Sequence, residues 1–148
     1  MPIVELSEKI NAPIDRVIEI AKDIERYPEF MPEVESISII EKADEGKRVK
    51  SKWVGKIPQF GMKVKWTQQD EWDMSVPCVH FRQVEGDYDK MEGRWEFRTV
   101  DGMTEIYNYL DYEYNVPLLG ALLQKVVLHI VTSNIKNTLL AIKQKAES

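Results

Sequence analysis

The sequence predicts an α+β fold: a curved antiparallel sheet of about seven strands wrapped around one long C-terminal helix, with two short helices after the first strand. Three observations carry this expectation. From Gly46 to Tyr114 apolar residues recur with a period of two, in segments divided by turn residues. Ahead of them, one alternating segment runs straight into helix-start residues. After Pro117 the period becomes helical, and no further proline interrupts it.

In the first segment Val4, Leu6 and Ile10 alternate with polar residues, and Asn11, Pro13 and Asp15 then supply helix-start signals. Ile14, Val17, Ile18 and Ala21 form the buried stripe of that helix. A second short helical stretch, Glu25 to Met31, is bracketed by Pro28 and Pro32, and Val34, Ile37 and Ile39 open a new strand.

Hairpin arithmetic then fixes the registers. Arg48 to Ile57 turns Val49, Ser51, Trp53, Gly55 and Ile57 inward, and Met62 to Met74 turns Met62, Val64, Trp66, Gln68, Asp70, Trp72 and Met74 inward. The loop Pro58-Gln59-Phe60-Gly61 sets Trp53 opposite Trp66 and Arg48 opposite Glu71, both favourable cross-strand pairs. After a turn at Ser75-Val76-Pro77-Cys78, the inner face carries Val79, Phe81, Gln83 and Glu85, with Phe81 opposite Trp72. Met91, Gly93, Trp95 and Phe97 follow. Asp101-Gly102 is a two-residue hairpin turn that sets Phe97 against Ile106 and Arg98 against Glu105, leaving Asn108, Leu110, Tyr112 and Tyr114 inward.

The last element, Leu118 to Ser148, is read as one amphipathic helix. Leu119, Leu122, Leu123, Val126, Val127 and Ile130 make a wide stripe, whereas Leu128, Val131, Ile135, Leu139 and Ile142 lie further round. Lys125, His129, Thr132, Lys136 and Lys143 keep the opposite side wet. A helix that only covers a sheet needs one stripe. The wide first half therefore faces a cavity, a partner or a lipid surface, or is simply well buried.

With 148 residues the chain is expected to form one domain, residues 1–148, large enough for a full core. Its net charge of −5, with signs mixed, argues against nucleic acid as a partner. Cys78 has no second cysteine to pair with, and His80 and His129 fall in no metal-ligand spacing, so neither a metal nor a cofactor is expected. Both histidines are placed on the surface and Cys78 in a turn. No signal-type stretch and no run of 18 apolar residues is present, so a cytoplasmic protein is expected.

Several runs resemble the START/Bet v 1-like (SRPBCC) superfamily, in particular its polyketide cyclase/dehydrase and coenzyme Q-binding START-like subgroup. They are Ile10-Asn11-Ala12-Pro13, Tyr27-Pro28-Glu29-Phe30-Met31-Pro32, Val64-Lys65-Trp66, Glu85-Gly86-Asp87-Tyr88, Met91-Glu92-Gly93-Arg94-Trp95 and Pro117-Leu118-Leu119. The resemblance implies a helix-grip fold with a hydrophobic cavity between sheet and helix, used across the superfamily for lipids, quinones, hormones or polyketides. Aromatase/cyclase members are similar in fold, and the resemblance implies that they position the polyketide with an Arg on the strand that here carries Trp66. Here Gln68 and Asp70 follow Trp66 inward, which favours binding over cyclase chemistry.

The ligand contacts expected on this reading are Trp53, Val64, Trp66, Gln68, Asp70, Trp72, Phe81, Gln83, Trp95, Phe97, Asn108, Leu110, Tyr112, Leu119, Leu122, Leu123, Val126 and Ile130. The tryptophans serve either as cavity wall or as plain core. Ser51, Gln68, Asp70, Gln83 and Glu85 form a polar belt on three adjacent strands, joined by Asn108, unless the strands twist it out to solvent. Stripped of water, Asp70 or Glu85 has its pKa raised and becomes a candidate acid or base, with Tyr112 as partner.

Ile57, Phe60 and Met62 are expected at the cavity mouth, ringed by Lys56, Lys63 and Lys65. They form either a lid or a transient contact with an anionic membrane at its inner face. Three functions stay in view: a carrier of a hydrophobic small molecule (lipid, isoprenoid quinone or polyketide-like), a polyketide cyclase/dehydrase, and an interaction module of the ribosome-associated toxin type. The oligomeric state is left open.

Overall fold

The computed structural model describes residues 2–57, 61–114 and 121–148, without the side chains of Ile57 and residues 121–123. Among the described residues the strands are β1 (Ile3–Ile10), β2 (Val34–Ala43), β3 (Arg48–Ile57), β4 (Met62–Asp73), β5 (Cys78–Gly86), β6 (Lys90–Val100) and β7 (Met103–Glu113). Helix α1 (Ile14–Lys22) and a 3₁₀ turn (Ile24–Glu29) follow β1, and α2 (Ala121–Glu147) comes last. The sheet order is β1-β7-β6-β5-β4-β3-β2, all antiparallel. This is the expected curved sheet gripping a long helix.

Most of the expected registers hold. Trp53 faces Trp66, Arg48 faces Glu71, Phe97 faces Ile106 and Arg98 faces Glu105. Asp101 (φ 52°) and Gly102 (φ 77°) both take the positive φ that a type I′ turn demands.

Two details of β5 differ from expectation. Asp73 Oδ1 accepts hydrogen bonds from the Ser75 amide (3.0 Å) and hydroxyl (2.6 Å), so the turn tightens one residue early. Cys78 is therefore the first strand residue, buried and paired with Asp73, and Phe81 lies opposite Asp70 instead of Trp72. Further along, Thr67 pairs with Glu85 but Gln68 pairs with Gln83, which leaves Val84 as the extra residue of a bulge. Beyond that bulge Glu85 is exposed, not inward. Gly86, at φ +151°, makes the close crossing possible, because a Cβ there would sit 2.5 Å from the Trp66 Cα.

Helix α1 buries Val17, Ile18, Ile20 and Ala21. Pro13 occupies its N-cap position with no side-chain cap; Asn11 instead donates its backbone N–H to Glu147 Oε2 at 2.7 Å. The main core lies beneath α1, where Ile10, Val17, Phe97, Ile106, Leu139 and Ile142 are almost fully enclosed.

Helix α2 has the expected two-part surface. Val127 and Ile130 are buried in its first half; Leu139, Ile142 and Ala146 are buried further round in its second. The stripe is narrower than expected, since Val126 is 37% exposed. At the C-terminal end Arg16 donates to the carbonyls of Ala146 (2.9 Å) and Lys145 (3.2 Å), satisfying groups that no further helical turn can reach. Lys143 reaches Lys9 O at 2.7 Å. The second half of α2 is thus fixed to β1 and α1. Among the described residues no helix is long and apolar enough to cross a membrane.

Candidate functional site

Between the sheet and the first half of α2 lies a cavity of about 190 Å³. That is far more room than a single buried water needs. Apolar and aromatic side chains dominate its walls: Trp53, Val64, Trp66, Phe81, Trp95, Leu110 and Ile130 all line it, as expected, and so do Gln68 and Asn108.

The wall is assembled by local chemistry. Trp53 and Trp66 stack at 5.6 Å between ring centroids, 16° apart in plane, as their cross-strand pairing dictates. Tyr27 meets Trp53 edge-on at 6.0 Å and Tyr88 meets Trp66 edge-on at 5.5 Å, so the pair is held from both sides. Tyr88 is itself set by Gln83, whose Nε2 donates to Tyr88 O (2.8 Å) and whose Oε1 accepts from Tyr88 N (3.2 Å). Gln83 is therefore a support for the wall and does not line the cavity.

The expected polar belt is present in part. Ser51 and Gln68, cross-strand partners, are buried together with Asp70. Trp53 Nε1 donates to Ser51 Oγ (2.8 Å), Trp66 Nε1 to Gln68 Oε1 (2.9 Å), and Gln68 Nε2 to Asp70 Oδ1 (2.7 Å). Because an indole nitrogen can only donate, it fixes which end of the Gln68 amide faces it. Burial pushes the Asp70 carboxyl up to about 6, partly opposed by the Gln68 hydrogen bond. Asp70 sits behind Gln68 and does not line the cavity.

On β7, Asn108 is 1% exposed, lines the cavity, and its Oδ1 has no hydrogen-bond partner. Tyr112 is buried beside Tyr88 (6.4 Å) with its hydroxyl also unpartnered, and burial pushes its pKa up to about 12, but it stands outside the cavity wall.

Other expected contacts lie elsewhere. Trp72 and Phe97 stack on each other at 5.8 Å within the core under α1, with Lys22 over the Trp72 ring, and neither lines the cavity. Val126 faces outward, and Glu85 is carried out by the bulge. Met62 is 36% exposed and does not line the cavity. Leu119 and Phe60, and the side chains of Leu122, Leu123 and Ile57, fall outside the described residues.

Not among the expected ligand contacts were Tyr27, Met31, Glu33, Tyr88 and Tyr114, along with Val127, Val131, Asn134, Ile135 and Thr138 of α2; Lys56, expected at the cavity mouth, lines the cavity too. The α2 set was readable: those five residues and Ile130 follow helical spacing on one side, with polar members inside the stripe. Glu33 and Lys56 meet at the rim, where Lys56 N donates to Glu33 O (2.8 Å) and Asn137 Nδ2 donates to Glu33 Oε1 (2.9 Å), linking α2 to the start of β2. Among the described residues no group of three or more His, Cys, Asp or Glu could hold a metal.

Known proteins share this fold. Protein TTHA0849 of Thermus thermophilus is 34% identical, with 98% of this chain and 97% of that one aligned at a TM-score of 0.89. The Zhui aromatase/cyclase of a Streptomyces species is 22% identical over 99% of this chain and 93% of its own, at 0.88. A START superfamily protein of Mycobacterium smegmatis is 18% identical over 98% and 97%, at 0.81. The latter two, at such identities, share the fold. Comparison with curated proteins finds no match. Residues 10–138 match the family described as polyketide cyclase / dehydrase and lipid transport, and the chain belongs to that family.

Proposed function

We propose that this chain is a single START-like domain, residues 1–148, that binds and carries a hydrophobic small molecule such as a lipid, an isoprenoid quinone or a polyketide-like compound, without covalent chemistry. The observation that carries the proposal is the cavity itself: apolar walls with a few buried polar groups, one of them without a protein partner. A collapsed core would have closed over Asn108 or replaced it.

The family also includes cyclases and dehydrases, but the groups that acid/base work would use do not converge here. Glu85 is exposed, Tyr112 is outside the wall, and Asp70 reaches the cavity only through Gln68. The Zhui protein is an aromatase/cyclase by name, and that activity is not carried over.

Loading from an anionic membrane would use the turn end of β3 and β4, where Lys56, Lys63 and Lys65 lie near the exposed Met62 in sequence or register, although Lys63 donates to Glu35 at 2.8 Å. An interaction module would keep its affinity for a partner with the cavity filled; a carrier would not.

The deciding experiment is native mass spectrometry of protein expressed in its own host, with organic extraction. A stoichiometric apolar compound is expected. Protein that carries nothing and takes up no apolar fluorescent dye would refute the carrier reading.

A further inference from the structure

We infer that the guest enters and leaves through the seam between α2 and the start of β2, and that the hydrogen bond from Asn137 to Glu33 is the bar across it. This rests on the carrier reading and adds the route to its site.

Two contacts bound the seam. In the first half of α2, Ile130 packs beside Val64, both almost fully buried. Near the end of the helix, Lys145 lies over the Phe30 ring, 4.8 Å from its centroid. The firm anchors of α2 are at that same end but on the side of α1 and β1: Arg16 holds the carbonyls of Ala146 and Lys145, and Lys143 reaches Lys9 O. Between the two bounding contacts, Asn134 and Thr138 of the helix and Met31, Glu33 and Val34 ahead of the sheet all line the cavity. Asn137, next to Thr138, donates Nδ2 to Glu33 Oε1 (2.9 Å) at the surface.

The chemistry of this stretch suits a passage. Asn134 and Thr138 are four residues apart and so share one side of α2. In a sealed apolar wall their polar groups would be costly, but both are half-buried, and at a seam water can meet them. Glu33 and Asn137 span the gap with side chains alone. A hydrogen bond between such surface groups competes with water for both partners, so it is weak enough to open often. When the two side chains rotate apart, neither α2 nor the β2–β3 ladder gives up a backbone bond. Any route through the sheet would have to break several.

The test follows uptake and release of the apolar fluorescent dye N-phenyl-1-naphthylamine by stopped flow on the full chain. Asn137→Ala changes an exposed residue outside the cavity wall. It is expected to speed association and dissociation alike by roughly fivefold, the factor that one surface hydrogen bond represents, with Kd changed by less than about twofold. A residue that only stabilised the bound state would change dissociation and Kd together. In the converse variant, Glu33→Cys and Asn137→Cys are bridged by a cleavable bismaleimide, the native Cys78 being buried. Exchange should slow by about tenfold or more and recover when the bridge is cut. Native exchange rates in Asn137→Ala, or in the bridged protein, would overturn the route and leave the carrier reading standing. Native protein that takes up no dye would overturn both. Should the double variant not fold, Asn137→Ala decides alone.

Discussion

Gln68 gives its amide N–H to Asp70 Oδ1 at 2.7 Å while its other end accepts the Trp66 indole, so a buried carboxylate touches the cavity only through an amide. The direction of this chain is set by the tryptophan, which cannot accept. Burial holds Asp70 at about 6 against 3.8 for the free group, so between those values the folded state keeps a proton that the unfolded state has lost. Stability conferred by the neutral acid is complete below about pH 4 and declines as pH rises to about 6, by roughly 1–3 kcal/mol. Asp70→Asn keeps an acceptor for Gln68 and removes the charge. Urea unfolding at pH 4.5 and pH 7 should show the variant gaining on the native protein at the higher pH, with ligand binding retained.

Val131 lines the cavity from α2 without belonging to the tightly packed core under α1. Val131→Trp is expected to fill the space, lower copurified ligand at least tenfold in the extraction assay, and leave the thermal midpoint unchanged or higher. A large fall in midpoint instead would mean that the wall was already close-packed.

Gly93 is required by close approach: a Cβ there would lie 2.0 Å from Tyr109 O and 2.8 Å from Phe81 Cζ. Since the nearest obstacle is backbone of the neighbouring strand, Gly93→Ala should destabilise by about 1–3 kcal/mol or more, read as a shift of the urea midpoint. Gly102→Ala meets nothing but is strained by its φ of +77°. It should cost about 1 kcal/mol.

Lys56 is set directly opposite Lys63, a like-charge pair that costs stability. If the mouth meets anionic lipid, Lys56→Glu combined with Lys65→Glu should weaken sedimentation with phosphatidylserine-containing liposomes about tenfold or more at physiological salt. Neutral liposomes should show no difference.

What the sequence showed clearly was whatever depends on local period and turn chemistry. Asp101-Gly102 fixed one hairpin, and the Trp53–Trp66 and Arg98–Glu105 pairs followed from counting. The bulge at Val84 was not visible, because an inserted residue leaves alternation intact on either side and only changes which face it serves; Glu85 was misplaced for that reason. Trp72 and Phe97 were assigned to the correct face of the sheet but the wrong end of it, since nothing in their own strands says that α1 and the second half of α2 descend there. On α2 the helical spacing was right. Val126 and Leu128 were nonetheless taken as inward by their apolarity, while Asn134 and Thr138, polar but facing the cavity, were passed over.

On α2, the residues that anchor the helix and those that confront the guest occupy separate turns: Leu139, Ile142 and Ala146 on one side, Val127, Val131 and Asn134 on the other. The two groups can change independently. A lineage, or a laboratory, can retailor the first half of α2 toward a new compound while the second half keeps the scaffold assembled, which makes this helix the natural place to begin altering what the protein accepts.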